Sequence, residues 1–202
     1  LLLMLDEIQC GLGRTGTLMG WQSIYPDLKP DTISWAKGLG GGFPIGAFYV
    51  SDRAIDEDET PLSSLMNAGS HGSTYGGNPL ACTAALVVLA EIQTSNLCAN
   101  ANHQEKRIRE EVTSWNHPAI DSIRGKGLLL GFALNTDNLE YPDGAMPAGH
   151  LCKTLMAEGL LTVPAGPETL RWLPPLNVTD DEVGEALRIL KNTLDSLSIK
   201  MN

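Results

Sequence analysis

The chain has 202 residues, an apolar fraction of 43%, 21 glycines and a formal net charge of −10. That composition excludes a disordered tail and a collagen-like fibre, and the length suits one large domain or two small ones with a buried core. A sequence pI near 4.7, with no basic cluster, argues against a nucleic-acid or anionic-membrane surface, because either requires focused positive charge.

Small-molecule chemistry is therefore the default expectation. Cys10, Cys82, Cys98 and Cys152 show neither C-x-x-C spacing nor the density of a disulfide scaffold, which points to a reducing compartment. The apolar runs Leu1 to Leu5 and Ala84 to Ala90 fall far short of the roughly 20 residues that span a bilayer. A start without Met or a charged leader, already reading as a buried strand, predicts a C-terminal fragment.

In chain order, Leu1 to Leu5 predicts a strand covered on both faces in a parallel sheet, ending at the acids Asp6 and Glu7. A Gly- and Thr-rich segment follows, then a strand over Thr32 to Ala36 ending at Lys37, and a third over Gly46 to Val50. Pro79 to Ile92 predicts a long buried helix with Pro in its first turn. From Asn96 the pattern shifts to α+β, predicting a second, smaller domain: a helix over Ala101 to Trp115, strands within Ile120 to Leu134, a helix over Ala148 to Glu158, and strands Leu160 to Val163 and Leu170 to Leu173. The last helix is announced by the Thr179/Glu182 capping box and by the Val183, Leu187, Leu190, Leu194 and Leu197 stripe.

Two constellations carry chemistry. Gly11-Leu12-Gly13-Arg14-Thr15-Gly16 matches the dinucleotide fingerprint, but four residues separate it from Asp6 and the segment breaks by Pro26. A nicotinamide site, which requires a helix directly after the glycine turn, is disfavoured. Asp6 and Lys37, by contrast, each end a buried strand, and in open α/β sheets ligands sit outside the carboxyl ends of the strands. Both then point toward one site. His150 and Cys152 are too isolated a pair to predict a metal, and none is expected.

Three long motifs, 6–16 (DEIQCGLGRTG), 36–46 (AKGLGGGFPIG) and 71–79 (HGSTYGGNP), together resemble the class III pyridoxal-phosphate aminotransferases. The likeness continues through Ile123 to Leu128 and Leu170 to Leu176 and so covers essentially the whole chain. It implies fold type I, an α/β architecture. Residues 1–95 would be the C-terminal portion of the large, mixed or parallel-sheet cofactor domain, and 96–202 the small α+β domain.

By the same resemblance, Lys37 is the Schiff-base lysine, Asp6 pairs with the pyridine nitrogen and Gln9 approaches the ring's phenolic oxygen. Thr74, with Ser73 beside it, reaches the cofactor phosphate of the neighbouring subunit of a homodimer. Arg171 binds the substrate carboxylate. These types suit the roles: a carboxylate keeps a ring nitrogen protonated, a freed lysine amine can move a proton, and a guanidinium fork matches a carboxylate. The implied reaction moves an amino group from N-acetylornithine, or a related ω-amine, to 2-oxoglutarate, as in arginine biosynthesis. Ornithine or 4-aminobutyrate transamination is the alternative, as is a non-catalytic fragment. The implied location is the cytoplasm, with the mitochondrial matrix as alternative. The main phosphate cup, the aromatic ring over the cofactor and a further glutamate belong to segments upstream of Leu1 in the family, so the fragment alone is expected to be inactive.

Overall fold

A computed structural model describes residues 1–142 and 144–197. The chain divides into two compact units, Leu1–Leu97 and Cys98 onward.

The first unit is built on a three-stranded sheet in the order β1 (Met4–Asp6), β2 (Thr32–Trp35), β3 (Ala47–Val50). β1 runs parallel to β2, with Asp6 opposite Ser34, and β3 returns antiparallel. Asp31 fixes the entry to this sheet. Its carboxylate accepts from the Leu3 amide at 2.7 Å and pairs with Arg53 at 2.5 Å, and its own side chain is largely buried.

Apart from the upstream strands of the family's sheet, the apolar run of β1 was expected to expose its edge, and it does: Met4 is 63% exposed and only Leu5 is half-buried. β1 is an edge strand paired on one side alone, so its apolar run is not enclosed within this sheet. The helix α1 (Pro79–Thr94) forms where expected, with Asn78 accepting from the Ala81 amide as its N-cap. It is not a buried helix, however. Ala81, Ala85 and Ile92 are buried, while Leu80, Leu86 and Val87 are more than 60% exposed. Its apolar residues lie all round the circumference, so only part of them is buried. The helix packs against the turn Lys37–Gly40.

The second unit wraps helices α2 (Leu97–Trp115), α3 (Pro147–Ala157) and α4 (Asp180–Ser196) with a four-stranded antiparallel sheet in the order β4 (Ile120–Lys126), β5 (Leu129–Leu134), β7 (Thr169–Trp172), β6 (Val163–Pro164). Phe132, Leu130, Leu170, Leu155, Leu187, Leu190 and Leu194 form its core, all at most 2% exposed. Phe132 and Trp172 meet edge to face at 5.5 Å. The α4 capping box is present, with Thr179 and Glu182 bonding each other's backbone amides at 2.8 and 3.3 Å. Leu160 to Val163 was expected to be a strand, yet only Val163–Pro164 pairs. The Leu160 amide instead donates to Leu155 O at 2.8 Å, closing the end of α3 through Gly159.

The β4–β5 hairpin is pinned to α2 by two charged side chains. Arg109 donates to Ile123 O and Gly125 O at 3.0 and 2.6 Å, and Glu105 accepts from the Gly127 amide and pairs with Arg109 at 2.9 Å. Gly125 sits at φ +99°, and a Cβ there would collide with the Leu129 carbonyl. Gly125→Ala should therefore lower stability by about 3 kcal/mol, through backbone strain and a broken hairpin register. Urea denaturation followed by circular dichroism checks this, and an unchanged midpoint would show that the hairpin yields without cost.

Candidate functional site

The site begins at the carboxyl ends of the two parallel strands. Asp6 is the last residue of β1, in register with Ser34, and Lys37 follows β2 by two residues. Adjacent parallel strands of matched register therefore deliver a carboxylate and an amine to one sheet edge. The Asp6 Oδ1 accepts from the Ile8 amide at 3.0 Å, an Asx turn that fixes the carboxylate's direction while leaving the side chain exposed.

Lys37 is exposed and has φ +44°, left-handed backbone that is uncommon for a residue with a side chain. The short helical turn Lys37–Gly40 begins there, with the Leu39 amide donating to Ala36 O at 3.0 Å. Gly41 closes it at φ +58°, where a Cβ would stand 2.9 Å from Val88 Cγ2 of α1. The turn is thus clasped between the end of β2 and α1. Beside Lys37, a Cβ on Gly38 would find no atom within 4 Å, so the space next to Gly38 is open.

Gln9 lies half-buried in the turn that follows β1. Ser73 and Thr74 are exposed in the turn ahead of α1. Ser73, but not Thr74, lines a cleft of about 600 Å³ together with Phe43 to Gly46 and Tyr75 to Asn78, so one wall of it is the loop that leaves Lys37. Arg171 stands on β7 of the second unit, paired with Gly131. Strand alternation puts Leu170 and Trp172 into the core and turns Arg171 to the opposite face, where it is half-exposed. The structure thus brings Asp6, Gln9 and Lys37 to one sheet edge and Ser73 beside the following loop, while Arg171 belongs to the other unit.

The G-x-G-x-x-G segment forms successive turns, and the first helical element after it is a short 3₁₀ turn at Gly20–Ser23. A dinucleotide fold needs an α-helix there. Arg14 is half-buried in this loop, and burial lowers its guanidinium below the usual range. Burial, reinforced by the neighbouring Glu7 charge, raises the Cys10 thiol, so it is not an activated nucleophile.

Sequence reasoning gave no separate role to Glu7. It is 2% exposed, and its carboxylate accepts from the Gly20 amide at 2.8 Å and the Trp21 amide at 2.6 Å. The signal available was an acid followed by glycines at 11 and 20, positions where any side chain would strike it.

With that geometry in place, the comparisons are decisive on class. Residues 1–194 match the family described as aminotransferase class-III, and the chain belongs to that family. It is 39% identical over 197 residues to an acetylornithine aminotransferase of Xylella fastidiosa, covering 96% of this chain and 44% of that protein. It is 37% identical over 201 residues to one of Thermosynechococcus vestitus, covering 98% and 45%. Among solved structures, the N-acetylornithine aminotransferase of Stenotrophomonas maltophilia superposes with a TM-score of 0.76 at 38% identity, covering 96% of this chain and 47% of that one. The ornithine δ-aminotransferase of Plasmodium falciparum superposes at 0.81 with 31% identity, covering 96% and 47%. These neighbours are fold type I aminotransferases that use pyridoxal phosphate. The chain spans somewhat under half the length of the relatives it matches.

The residues present fit that group chemically. An exposed lysine begins the turn that follows β2, a carboxylate ends the adjacent strand, and the Ser73 hydroxyl lines the cleft beyond. Among the described residues no cluster of side chains suits a metal ion, and no single helix is long and apolar enough to cross a membrane.

Proposed function

We propose that the protein of which this chain is part transfers the amino group of N-acetylornithine, or a closely related ω-amine, to 2-oxoglutarate. The observation that carries the reading is the placement of Asp6 and Lys37 at the ends of neighbouring parallel strands in a chain of this family. Pyridoxal phosphate, when bound, supplies an electron sink for the substrate carbon that loses its proton.

The chain's own residues do the rest. The Lys37 Nζ would hold the group covalently, and its amine would serve as the base that moves a proton at the substrate carbon. The Asp6 carboxylate holds the proton on the ring nitrogen, its direction set by the Ile8 amide. Gln9 would hold the phenolic oxygen of the bound group. The hydroxyls of Ser73 and Thr74 serve the phosphate in a neighbouring copy, so the working unit is a homodimer. The exposed apolar residues of β1 and α1, Met4, Leu80, Leu86 and Val87, support association with further protein surface.

Arg171 binds the substrate carboxylate through its guanidinium fork. Arg171→Gln is expected to raise KM for the carboxylate-bearing substrates about 100-fold, the worth of a charge-assisted pair, with a smaller change in kcat. Arg171→Lys should recover only part of the loss. Steady-state kinetics decide, and an unchanged KM would assign Arg171 to structure instead.

Ornithine is the second donor to consider, because ornithine aminotransferases superpose with TM-scores up to 0.81. Measuring kcat/KM for N-acetylornithine, ornithine and 4-aminobutyrate on the full-length protein settles the donor. Preference for N-acetylornithine is expected, and turnover with none of the three would overturn the reading.

A further inference from the structure

We propose that Glu7 is a positioning residue for the Asp6 carboxylate: its buried side chain ties the returning loop to the end of β1, and thereby fixes where Asp6 and Gln9 stand. The inference rests on the function proposed above and adds to it a residue that touches neither cofactor nor substrate.

Four bonds converge on this one residue. Its amide donates to Ser34 O at 3.0 Å, extending the β1–β2 ladder one step past Asp6, and its carbonyl accepts from the Gly11 amide at 3.1 Å. Its carboxylate takes the Gly20 and Trp21 amides at 2.8 and 2.6 Å, the free donors at the start of the 3₁₀ turn Gly20–Ser23. Residues 7, 11 and 20–21 are thereby locked together, and the Asp6 side chain and Gln9 lie within that frame.

The surroundings are shaped to the carboxylate. A Cβ at Gly11 would stand 2.8 Å from Glu7 Oε2, and one at Gly20 would stand 3.2 Å from Glu7 Oε1 and 2.8 Å from Cys10 O. Thr15, 8% exposed, braces the same loop, its hydroxyl reaching Cys10 O at 3.4 Å and Gly20 O at 3.5 Å. A buried acid with two backbone donors is replaced poorly by an amide, because one N–H would then face another donor. A structural clamp elsewhere in the fold would affect only stability. This one is covalently adjacent to the residue that holds the ring nitrogen, so loosening it moves the group whose placement sets the ring's electronics.

The test uses the full-length protein loaded with pyridoxal phosphate. Glu7→Gln should lower kcat about 10- to 100-fold with KM little changed. It should also raise the pH midpoint of the bound cofactor's absorbance band by about one pH unit. The direction follows from the ring: a less firmly held ring proton withdraws fewer electrons, so the nitrogen of Lys37 conjugated to it becomes more basic.

Gly11→Ala keeps the carboxylate but crowds it and should shift the midpoint the same way. It decides the matter if Glu7→Gln does not fold. Gly125→Ala, which destabilises the hairpin of the second unit and leaves the Glu7 frame intact, should lower Tm and leave the midpoint in place. A folded Glu7→Gln or Gly11→Ala protein with an unmoved midpoint overturns the proposal, and so does an equal shift in Gly125→Ala. The two readings fail differently. A wild-type protein with no Lys37-linked band overturns both, whereas a wild-type band that Glu7→Gln does not move overturns this one alone.

Discussion

Replacing Lys37 by Ala in the full-length protein is expected to abolish transamination, with turnover down at least about 10⁴-fold. The size of the loss follows from two duties resting on one amine. On the proposed function, Lys37 would anchor the cofactor and its amine would also move the proton at the reacting carbon. Deletion removes the covalent hold and the base together, and among the described residues no second lysine ends a strand of the first unit's sheet. Folding should be unaffected, because Lys37 is exposed, and truncating an exposed side chain typically changes stability by about 0.5 kcal/mol or less. Loss of the left-handed backbone preference is not at issue, since Ala and Lys meet the same strain at φ +44°. Stopped assays with the amino donor check the prediction, and retained turnover with normal Tm would remove Lys37 from the chemistry.

Asp6→Asn is expected to lower kcat about 10³-fold, the upper range for removing one charge-stabilising group from a reaction centre. Asn preserves the volume and can still accept from the Ile8 amide, the bond Asp6 makes at 3.0 Å, so the turn should persist. On the proposed function, what is lost is the negative charge that would keep a ring nitrogen protonated near neutral pH. Proton removal from the substrate carbon then lacks its electron sink, while substrate binding is largely kept. A fall in kcat with little change in KM is the expected signature. Equal rates for Asn and Asp would mean that the charge at this strand end does no chemistry.

These residues were legible because strand grammar is local. An apolar run followed by an acid, and another followed by a lysine and glycines, announce strand ends without knowledge of the partner strand. The parallel pairing of Met4 to Asp6 with Thr32 to Ser34 then places both side chains at one edge. The Thr179/Glu182 capping box was equally legible, since its two bonds close within four residues. So was the outward face of Arg171, which period-2 alternation with Leu170 and Trp172 defines.

What escaped the sequence is non-local. Apolar residues distributed around α1 gave no direction, so the exposure of Leu80, Leu86 and Val87 could not be separated from burial. Glu7 read as one more acid at a strand end, because its partners at Gly20 and Trp21 lie 13 and 14 residues away. The close approach of Val88 on α1 to Gly41, where a Cβ would stand 2.9 Å away, also spans 47 residues of chain. Likewise, the brevity of the Val163–Pro164 strand reflects the competing bond from Leu160 back to Leu155.

If Lys37 is the anchoring amine, pyridoxal phosphate forms its imine there and not on the other lysines. The full-length protein is incubated with pyridoxal phosphate, reduced with borohydride, digested and mapped by mass spectrometry. A single modified peptide carrying the label on Lys37 is the expected result. A label scattered over surface lysines, or concentrated on another residue while activity persists, would contradict it.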